Sequence, residues 1–342
     1  MQPNNAIESQ ASSESQVSPK KPSLQLFGGV GAMQQVALVV MIVLLAVGMQ
    51  LKYPAFLSGP NIDTVLANNI GDGIMALGMT IVMITAGIDI SIPAVLQFSG
   101  ILVGMLMNAG GPIPAAIVIT LIASAIVGWI NIKLTILFKV HPFIVTLATL
   151  LTLRGVNIVI TDASTITGFP ERFSVIGGEY FAGIAYLRNS VVLFLILAVI
   201  IGYALKNHKF FQEAYFIGGH RRSARMSGIK VERFLTFTYV LNSILAGVAG
   251  IVICSQRMAA SISFGQNAEL RTITAVAVGG ASFTGGTGTV LGTVLGWLFM
   301  AMVRNAFNMT GVNPYWQDVA VGAFLMIAVF LGEYLKRRQV TR

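Results

Sequence analysis

Continuous apolar runs fill most of this chain, and they limit its fold more than any other feature. A helix needs about 20 mostly apolar residues to cross a bilayer, and runs of roughly that length recur between Val36 and Leu331. Apolar residues make up 55% of the sequence and charged residues only 10%, whereas a soluble domain has about 25% charged residues. The runs do not alternate in polarity as barrel strands do. The sequence therefore predicts an all-α integral membrane protein.

Ten segments are predicted to cross the membrane as helices. They cover residues 36–49, 69–87, 92–109, 114–138, 143–160, 190–205, 234–254, 272–283, 290–307 and 316–331. The eighth is short and interrupted by glycines. Residues 1–33 are rich in Ser, Gln, Asn and Pro, which predicts a disordered cytoplasmic tail. A membrane domain over residues 34–335 and a second cytoplasmic tail over residues 336–342 are expected to follow.

Lysine and arginine are distributed unevenly between the two sides that these spans define. With the amino terminus in the cytoplasm, 15 of the 22 basic residues fall on the cytoplasmic side, six fall outside, and Arg154 lies within a span. The six outer residues are Lys52, Arg172, Arg188, Arg257, Arg271 and Arg304. Cytoplasmic loops carry an excess of Lys and Arg. Both termini are therefore predicted to be cytoplasmic.

Residues 206–233 form the most basic loop, with seven Lys and Arg residues against Glu213 and Glu232. Its centre, residues 218–229, is too polar and too rich in glycine to lie in lipid. We interpret the segment as a cytoplasmic docking element for another protein; the alternative is a solvated loop that only orients the membrane segments. Five apolar residues are expected to anchor that partner: Phe210, Phe211, Tyr215, Phe216 and Ile217.

The sequence offers no catalytic residues, no metal site and no bound cofactor. Its three histidines, His141, His208 and His220, are scattered rather than spaced as metal ligands. A Gly-Lys-Ser/Thr phosphate loop is absent from the sequence. If ATP drives this protein, a separate partner chain must bind and hydrolyse ATP with Mg²⁺.

Uncharged polar side chains within the predicted spans point to a pathway for a neutral solute. Such groups need partners or a water-filled path, so they tend to face the interior of a bundle. The candidates are Asn68, Asn69, Thr146, Asn157, Asn242 and Asn305. For any one of them, contact between helices is the alternative. Asp72 is the one acid that lies away from a span end. We interpret it either as a proton site or as the cap at the start of a helix.

Two short breaks separate pairs of apolar segments in the two halves of the chain. Residues 87–91 separate the second and third spans, and residues 285–288 separate the eighth and ninth. Broken helices in corresponding halves are common in transporters built from internal repeats. The pattern therefore hints at an internal repeat.

Four stretches, taken in order, resemble the permease subunit of ribose-type ABC sugar importers. They are residues 87–91 (GIDIS), 143–147 (FIVTL) with 153–155 (LRG), 218–229, and 269–270 (EL) with 278–286 (VGGASFTGG) and 292–293 (GT). The resemblance covers roughly residues 35–335. It implies sugar import across a bacterial inner membrane by alternating access. It also implies three partners: an ATPase with two nucleotide-binding domains, a second permease copy or paralogue, and a periplasmic binding protein that delivers the sugar.

The resemblance also implies roles for particular residues. The residues that would couple the chain to the ATPase are Gly218, Gly219, His220, Arg221, Arg222, Ala224, Arg225, Ser227 and Gly228. The residues of the structural motifs are Asp89, Ser91, Arg154, Glu269, Gly279, Gly280, Gly285 and Gly286.

Two positions depart from that family pattern. Family members usually have Asn, any residue, Glu, Ala and Ala after the paired glycines, whereas residues 220–224 read HRRSA here. The usual Asp after Glu-Leu is Arg271. The first departure predicts a partner ATPase with a more acidic groove, and the second alters the external face.

Other functions stay open from the sequence. The solute could be a branched-chain amino acid or a signalling furanose. The chain could also be a secondary carrier that needs no ATPase, or a membrane scaffold that transports nothing.

Overall fold

The computed structural model describes residues 30–313 and 315–340, with side chains over residues 33–313 and 315–330. This part of the chain forms twelve α-helices and two 3-10 turns. The α-helices are α1 Val30–Lys52, α2 Gly59–Ile84, α3 Ile92–Asn108, α4 Ile113–Phe138, α5 Pro142–Thr161, α6 Asn189–Asn207, α7 Lys209–Gly219, α8 Arg221–Met226, α9 Val231–Arg257, α10 Ala268–Val278, α11 Val290–Thr310 and α12 Tyr315–Val340. The 3-10 turns are Glu171–Ile176 and Phe181–Gly183.

A helix is found at each of the ten predicted spans, which confirms the all-α membrane fold. Among the residues that the structure describes, seven helices are long and apolar enough to cross a bilayer: α1, α2, α4, α5, α6, α9 and α11. The apolar parts of α3 and α12 are shorter. Helix α10 has 11 residues, which at 1.5 Å per residue is about half of the hydrocarbon thickness. The eighth predicted span is therefore a half-length helix followed by a glycine-rich loop.

The predicted tails differ from the structure at their boundaries. Helix α1 begins at Val30, so the last residues of the predicted tail 1–33 are helical, and residues 1–29 lie outside the described part. Helix α12 continues to Val340. Most of the predicted tail 336–342 is therefore helical, and residues 341–342 lie outside the described part.

Helices α2 and α9 form the centre of the bundle. In their most apolar 18 residues, 78% of α2 and 67% of α9 are buried, against 17% of α5 and 6% of α1. Small residues permit this because they let helix backbones approach each other closely. A Cβ on Gly78 would lie 2.5 Å from the Asn242 Oδ1 atom. The outer helices keep large apolar side chains exposed, such as Leu151 and Val199, as expected of a lipid-facing surface.

The bundle has two distinct ends. At the first, which we name the docking end, α2 ends at Ile84, α7 and α8 follow α6, and Gln35 near the start of α1 donates a 2.8 Å hydrogen bond to Thr289 before α11. At the opposite end α2 begins, while α9 and α11 finish. Four arginines that were predicted to be external lie at this opposite end: Arg188, Arg257, Arg271 and Arg304. Each of them contacts a side chain of α2 between Asp63 and Asp72. The basic segment and these arginines thus occupy opposite ends, as the charge distribution predicts.

Candidate functional site

The segment 206–233 folds into two short helices at the docking end. Helix α7 ends where His220 adopts an extended backbone, with φ of −158°. Helix α8 ends at Met226. Two residues later Gly228 has a left-handed φ of +84°, and Ile229 then donates its N–H to the Ala224 carbonyl. This is a common way for a glycine to close a helix. Gly228 therefore supplies the turn that follows α8.

Helix α7 packs against both breaks in the long helices. A Cβ on Gly218 would overlap the carbonyl oxygen of Ile84 and lie 2.5 Å from the backbone nitrogen of Gly286. Gly286 itself donates a 2.8 Å hydrogen bond to the same Ile84 carbonyl. Gly285 and Gly286 have φ near +79°, a conformation that glycine adopts without steric cost. The end of α2, the glycine-rich loop and α7 therefore meet at one point.

The apolar residues of α7 hold this element to its own chain. The Phe210 ring packs at a tilt on Phe234 and edge-to-face on Phe237 of α9, with ring centroids 5.0 Å apart in both pairs. Ile217 is fully buried. The prediction that they anchor a partner is wrong for Ile217, because internal packing buries it, whereas Phe210 is only partly buried. Phe211 is similarly packed on Phe237, with ring centroids 5.4 Å apart.

Tyr215 also faces inward. Its hydroxyl donates a 3.0 Å hydrogen bond to the Gly288 carbonyl, and burial raises the pKa of Tyr215 to about 12. The phenol therefore remains a donor and ties α7 to the glycine-rich loop. Of the five predicted anchors, only Phe216 is exposed, at 50%. Met226 of α8, exposed at 82%, was not predicted; its place on an exposed basic helix could have indicated it.

The basic residues of α8 differ in their surroundings. Arg221 donates a 3.3 Å hydrogen bond to the carbonyl of Thr85, directly after α2. Arg225 forms an ion pair with Glu232 at the start of α9. Arg222 and His220 are exposed, as are Ser227 and Gly219, whereas Ala224 is buried. Arg222, with Phe216 and Met226, is thus presented on the surface of the docking end.

A buried polar network surrounds Asp89 in the break between α2 and α3. Asp89 is fully buried, and its Oδ1 accepts hydrogen bonds from the Ser91 N–H at 3.0 Å and hydroxyl at 2.6 Å. The Asn242 amide donates to its Oδ2 at 3.0 Å. Asn131 on α4 donates to the Ser91 hydroxyl at 2.9 Å, and Thr146 accepts a 3.3 Å bond from the Ile90 N–H. Three helices, α4, α5 and α9, are thereby tied to one break.

The other pathway candidates lie elsewhere. Asn68 and Asn69 are at the opposite end, where they accept hydrogen bonds from Arg257 and Arg304 at 2.7 and 3.0 Å. Asn157 donates weakly, at 3.3 Å, to the Ala94 carbonyl. The structure therefore does not gather the six candidates into one channel.

The remaining pathway candidates also form contacts within the protein: they are Asn305, Thr146 and Asn242. The Asn305 amide contacts the Met309 sulfur at 3.6 Å, while Thr146 and Asn242 belong to the network around Asp89. These contacts join helix to helix, or one turn of a helix to the next, which is the alternative that the sequence left open.

The paired charges of the structural motif meet across the bundle. Arg154 on α5 contacts both carboxylate oxygens of Glu269 at 3.1 Å, in the first turn of α10. At the other end of α10, a Cβ on Gly279 would overlap the Gly292 carbonyl of α11. Gly280, with φ of +96°, starts the loop that follows. These residues fix how α10 approaches α5 and α11.

Asp72 has a partner that the sequence did not indicate. It lies inside α2, so its interpretation as a helix cap is wrong. Arg271 donates to its Oδ2 at 2.8 Å and to its Oδ1 at 3.3 Å, and Arg304 lies 3.6 Å away. Arg271, which departs from the family pattern, therefore neutralises an acid of α2. Among the described residues, no group of three or more His, Cys, Asp or Glu side chains could hold a metal ion.

Residues 61–329 match the family model described as the branched-chain amino acid transport system / permease component. The matched region runs from α2 into α12 and includes the docking element, the Asp89 break and the glycine-rich loop. The chain belongs to this permease family.

Related permeases align along nearly the whole sequence. The chain is 37% identical to the ribose import permease protein of Bacillus subtilis over 307 residues, which cover 88% of this chain and 93% of the relative. It is 32% identical to the ribose import permease protein of Haemophilus influenzae, with 90% and 95% covered. It is 29% identical to the D-allose transport system permease protein of Escherichia coli, with 87% and 91% covered. The resemblance noted from the sequence motifs is thereby confirmed.

Proposed function

We propose that this permease is the membrane-spanning subunit of an ATP-driven importer that takes up a monosaccharide of the ribose type. The relatives that align over most of the chain are named for ribose and allose. The description of the family model instead names branched-chain amino acids. Because these relatives align along most of the chain and each is named for a sugar, their names outweigh the description of the family model. A sugar is therefore the cargo we assign.

The observation that carries the proposal is the contact of Gly218 with Ile84 and Gly286. It places the exposed surface of α8 one helix away from the breaks before α3 and α11. A partner that pulls or rotates α7 and α8 would move both breaks together. Interfaces that are packed this closely switch between discrete arrangements rather than deforming gradually. The contact therefore supports α7 and α8 as the element that couples ATP hydrolysis to transport.

The remaining parts of the importer follow from this assignment. An ATPase chain with two nucleotide-binding domains binds ATP and Mg²⁺ and receives α8, with Arg222 facing an acidic part of its groove. A second permease copy or paralogue completes the pathway, and a periplasmic binding protein delivers the sugar at the opposite end. The complex resides in a bacterial inner membrane. Solute passes as the bundle opens alternately to each side.

Charge reversal at Arg222 tests the coupling role. We expect Arg222→Glu to insert normally and to abolish ATP-dependent sugar uptake, because Arg222 is exposed and its reversal opposes an acidic groove. Arg172→Glu is the matched control, since Arg172 is also exposed but lies in the 3-10 turn after α5. Deletion of residues 218–228 should likewise abolish uptake. Uptake by Arg222→Glu at normal membrane abundance would contradict the proposal.

Co-purification separates this function from that of a secondary carrier. We expect a P-loop ATPase to remain bound to the permease in mild detergent, and to be lost when Arg221 and Arg222 are both replaced by glutamate. The purified permease alone, in vesicles with an ion gradient, should not accumulate sugar. Gradient-driven accumulation without an ATPase would favour the secondary carrier instead.

A further inference from the structure

A cavity of about 360 Å³ opens at the opposite end of the bundle, between α2, α9, α10 and α11. Its volume lies within the roughly 300–1,000 Å³ of small-molecule sites. Three arginines line it, Arg257, Arg271 and Arg304, together with the carboxylate of Asp72. The walls of the cavity thus carry an excess of two positive charges. Asp318 of α12 acts on Arg271 and Arg304 electrostatically but does not line the cavity.

The three arginines are held by the protein to different degrees. Arg271 is engaged by both oxygens of Asp72 and by the Gln266 carbonyl at 2.6 Å. Arg304 donates to the amide oxygens of Asn69 and Gln317. These contacts fix both guanidinium groups in place.

Arg257 is held by one neutral group. Its Nη2 donates to the Asn68 amide oxygen at 2.7 Å, and within the described residues no carboxylate forms an ion pair with it. Arg257 is also exposed to solvent. Because a guanidinium has five N–H donors, Arg257 retains donors to offer a ligand.

The rest of the lining suits a hydroxylated molecule. Gln256, Gln266 and Ser263 bring amide and hydroxyl groups to the wall, and Phe264 and Ile253 bring apolar surface. A few polar groups among apolar side chains are typical of small-molecule sites. The arginines add a preference for anions, because a guanidinium pairs with a carboxylate through two parallel hydrogen bonds.

We propose that this cavity binds a sugar acid, with the carboxylate of the sugar held by Arg257 and its hydroxyl groups held by the amide and hydroxyl side chains. Assigning the bound molecule as cargo rests on the transport function proposed above. The cavity lies at the end of the bundle to which, in that proposal, the binding protein delivers the sugar. It thereby extends the cargo class from neutral monosaccharides to their oxidised, acidic forms.

Glucuronate and glucose provide a matched pair of probes, since they differ only in the oxidation of C6. Binding to the purified full-length permease in lipid nanodiscs can be measured by titration calorimetry. We expect glucuronate to bind at least tenfold more tightly than glucose, and to bind more weakly at high salt because the recognition is ionic. Arg257→Gln should remove most of this difference, Arg257→Lys should retain part of it, and Arg172→Gln should leave it unchanged.

A measurement on the unmodified permease covers the case in which Arg257→Gln does not fold. Phenylglyoxal modifies accessible arginines, and glucuronate, but not glucose, should protect Arg257 from it. Equal binding of glucuronate and glucose, or acetate binding as tightly as glucuronate, would overturn the proposal. These results are independent of the uptake defect of Arg222→Glu, so the cavity assignment and the import function can fail separately.

Discussion

Gly218 of α7 lies so close to the end of α2 that a Cβ in its place would overlap the carbonyl oxygen of Ile84. That carbonyl also accepts the 2.8 Å hydrogen bond from Gly286. Any side chain at position 218 would therefore push apart three backbone segments at once. A Cβ on the neighbouring Gly219 would have nothing within 4 Å of it, so the two adjacent glycines have different roles.

This difference gives a sharp test of the contact. We expect Gly218→Ala to abolish ATP-dependent uptake and to cost about 1–3 kcal/mol of stability, the usual effect of overpacking. Gly219→Ala should fold and transport nearly normally. Uptake assays and thermal unfolding of both variants in the same detergent provide the comparison. Equal behaviour of the two alanine variants would show that the contact does not matter.

The Asp89 network predicts that alanine at position 242 destabilises the fold more than alanine at position 305, although both asparagines were predicted as pathway candidates. Asn242→Ala would leave a fully buried carboxyl oxygen of Asp89 without its 3.0 Å donor, and leaving a buried polar group unsatisfied costs about 1–3 kcal/mol. Asn305→Ala removes only a 3.6 Å contact to sulfur, and we expect less than about 1 kcal/mol. Thermal unfolding of the two variants should rank Asn242→Ala as the less stable. The reverse order would contradict the network.

The helices could be predicted from the sequence because the signal is local. A run of apolar residues indicates a span by itself, and each of the ten predicted spans coincides with a helix. The cluster of glycines at 285–288 likewise indicated a break between two apolar segments, and the structure has a loop there. The glycines that interrupt the eighth predicted span also indicated its shortness, but its bounds were predicted as 272–283, whereas α10 is Ala268–Val278.

The side chains of the candidate site were less predictable because their partners are distant in sequence. Asp72 and Arg271 are 199 positions apart, so neither indicates the other without the fold. Phe210 looks the same in the sequence whether it faces a partner or packs on α9. The type of residue indicates which groups can form a hydrogen bond or an ion pair, and only the fold decides what each one contacts.

The ion pair between Arg154 and Glu269 predicts a compensating exchange. Both side chains are partly buried, at 31% and 14% exposed, so Glu269→Arg alone would place two like charges together between α5 and α10. We expect that variant to lower membrane abundance strongly. The double variant Arg154→Glu with Glu269→Arg should recover part of the loss, because the pair is restored with reversed polarity. Immunoblots of membrane fractions test this, and a double variant no better than the single one would count against the pair.

Arg188 holds the 161–189 segment to α2, and the geometry of its contact predicts that lysine cannot replace it. Its Nε and Nη2 atoms each lie 2.7 Å from an oxygen of Asp63, and its Nη1 donates to the Gly178 carbonyl at 3.1 Å. The hydrogen bond to Asp63 raises the pKa of Arg188, so the guanidinium stays charged. A lysine ammonium cannot reproduce this planar fork. We expect Arg188→Lys to increase proteolysis of the segment several-fold. Arg172→Lys, at an exposed position of the same segment, should leave the rate of proteolysis unchanged. Equal cleavage of the two variants would mean that the contact of Arg188 does not restrain the segment.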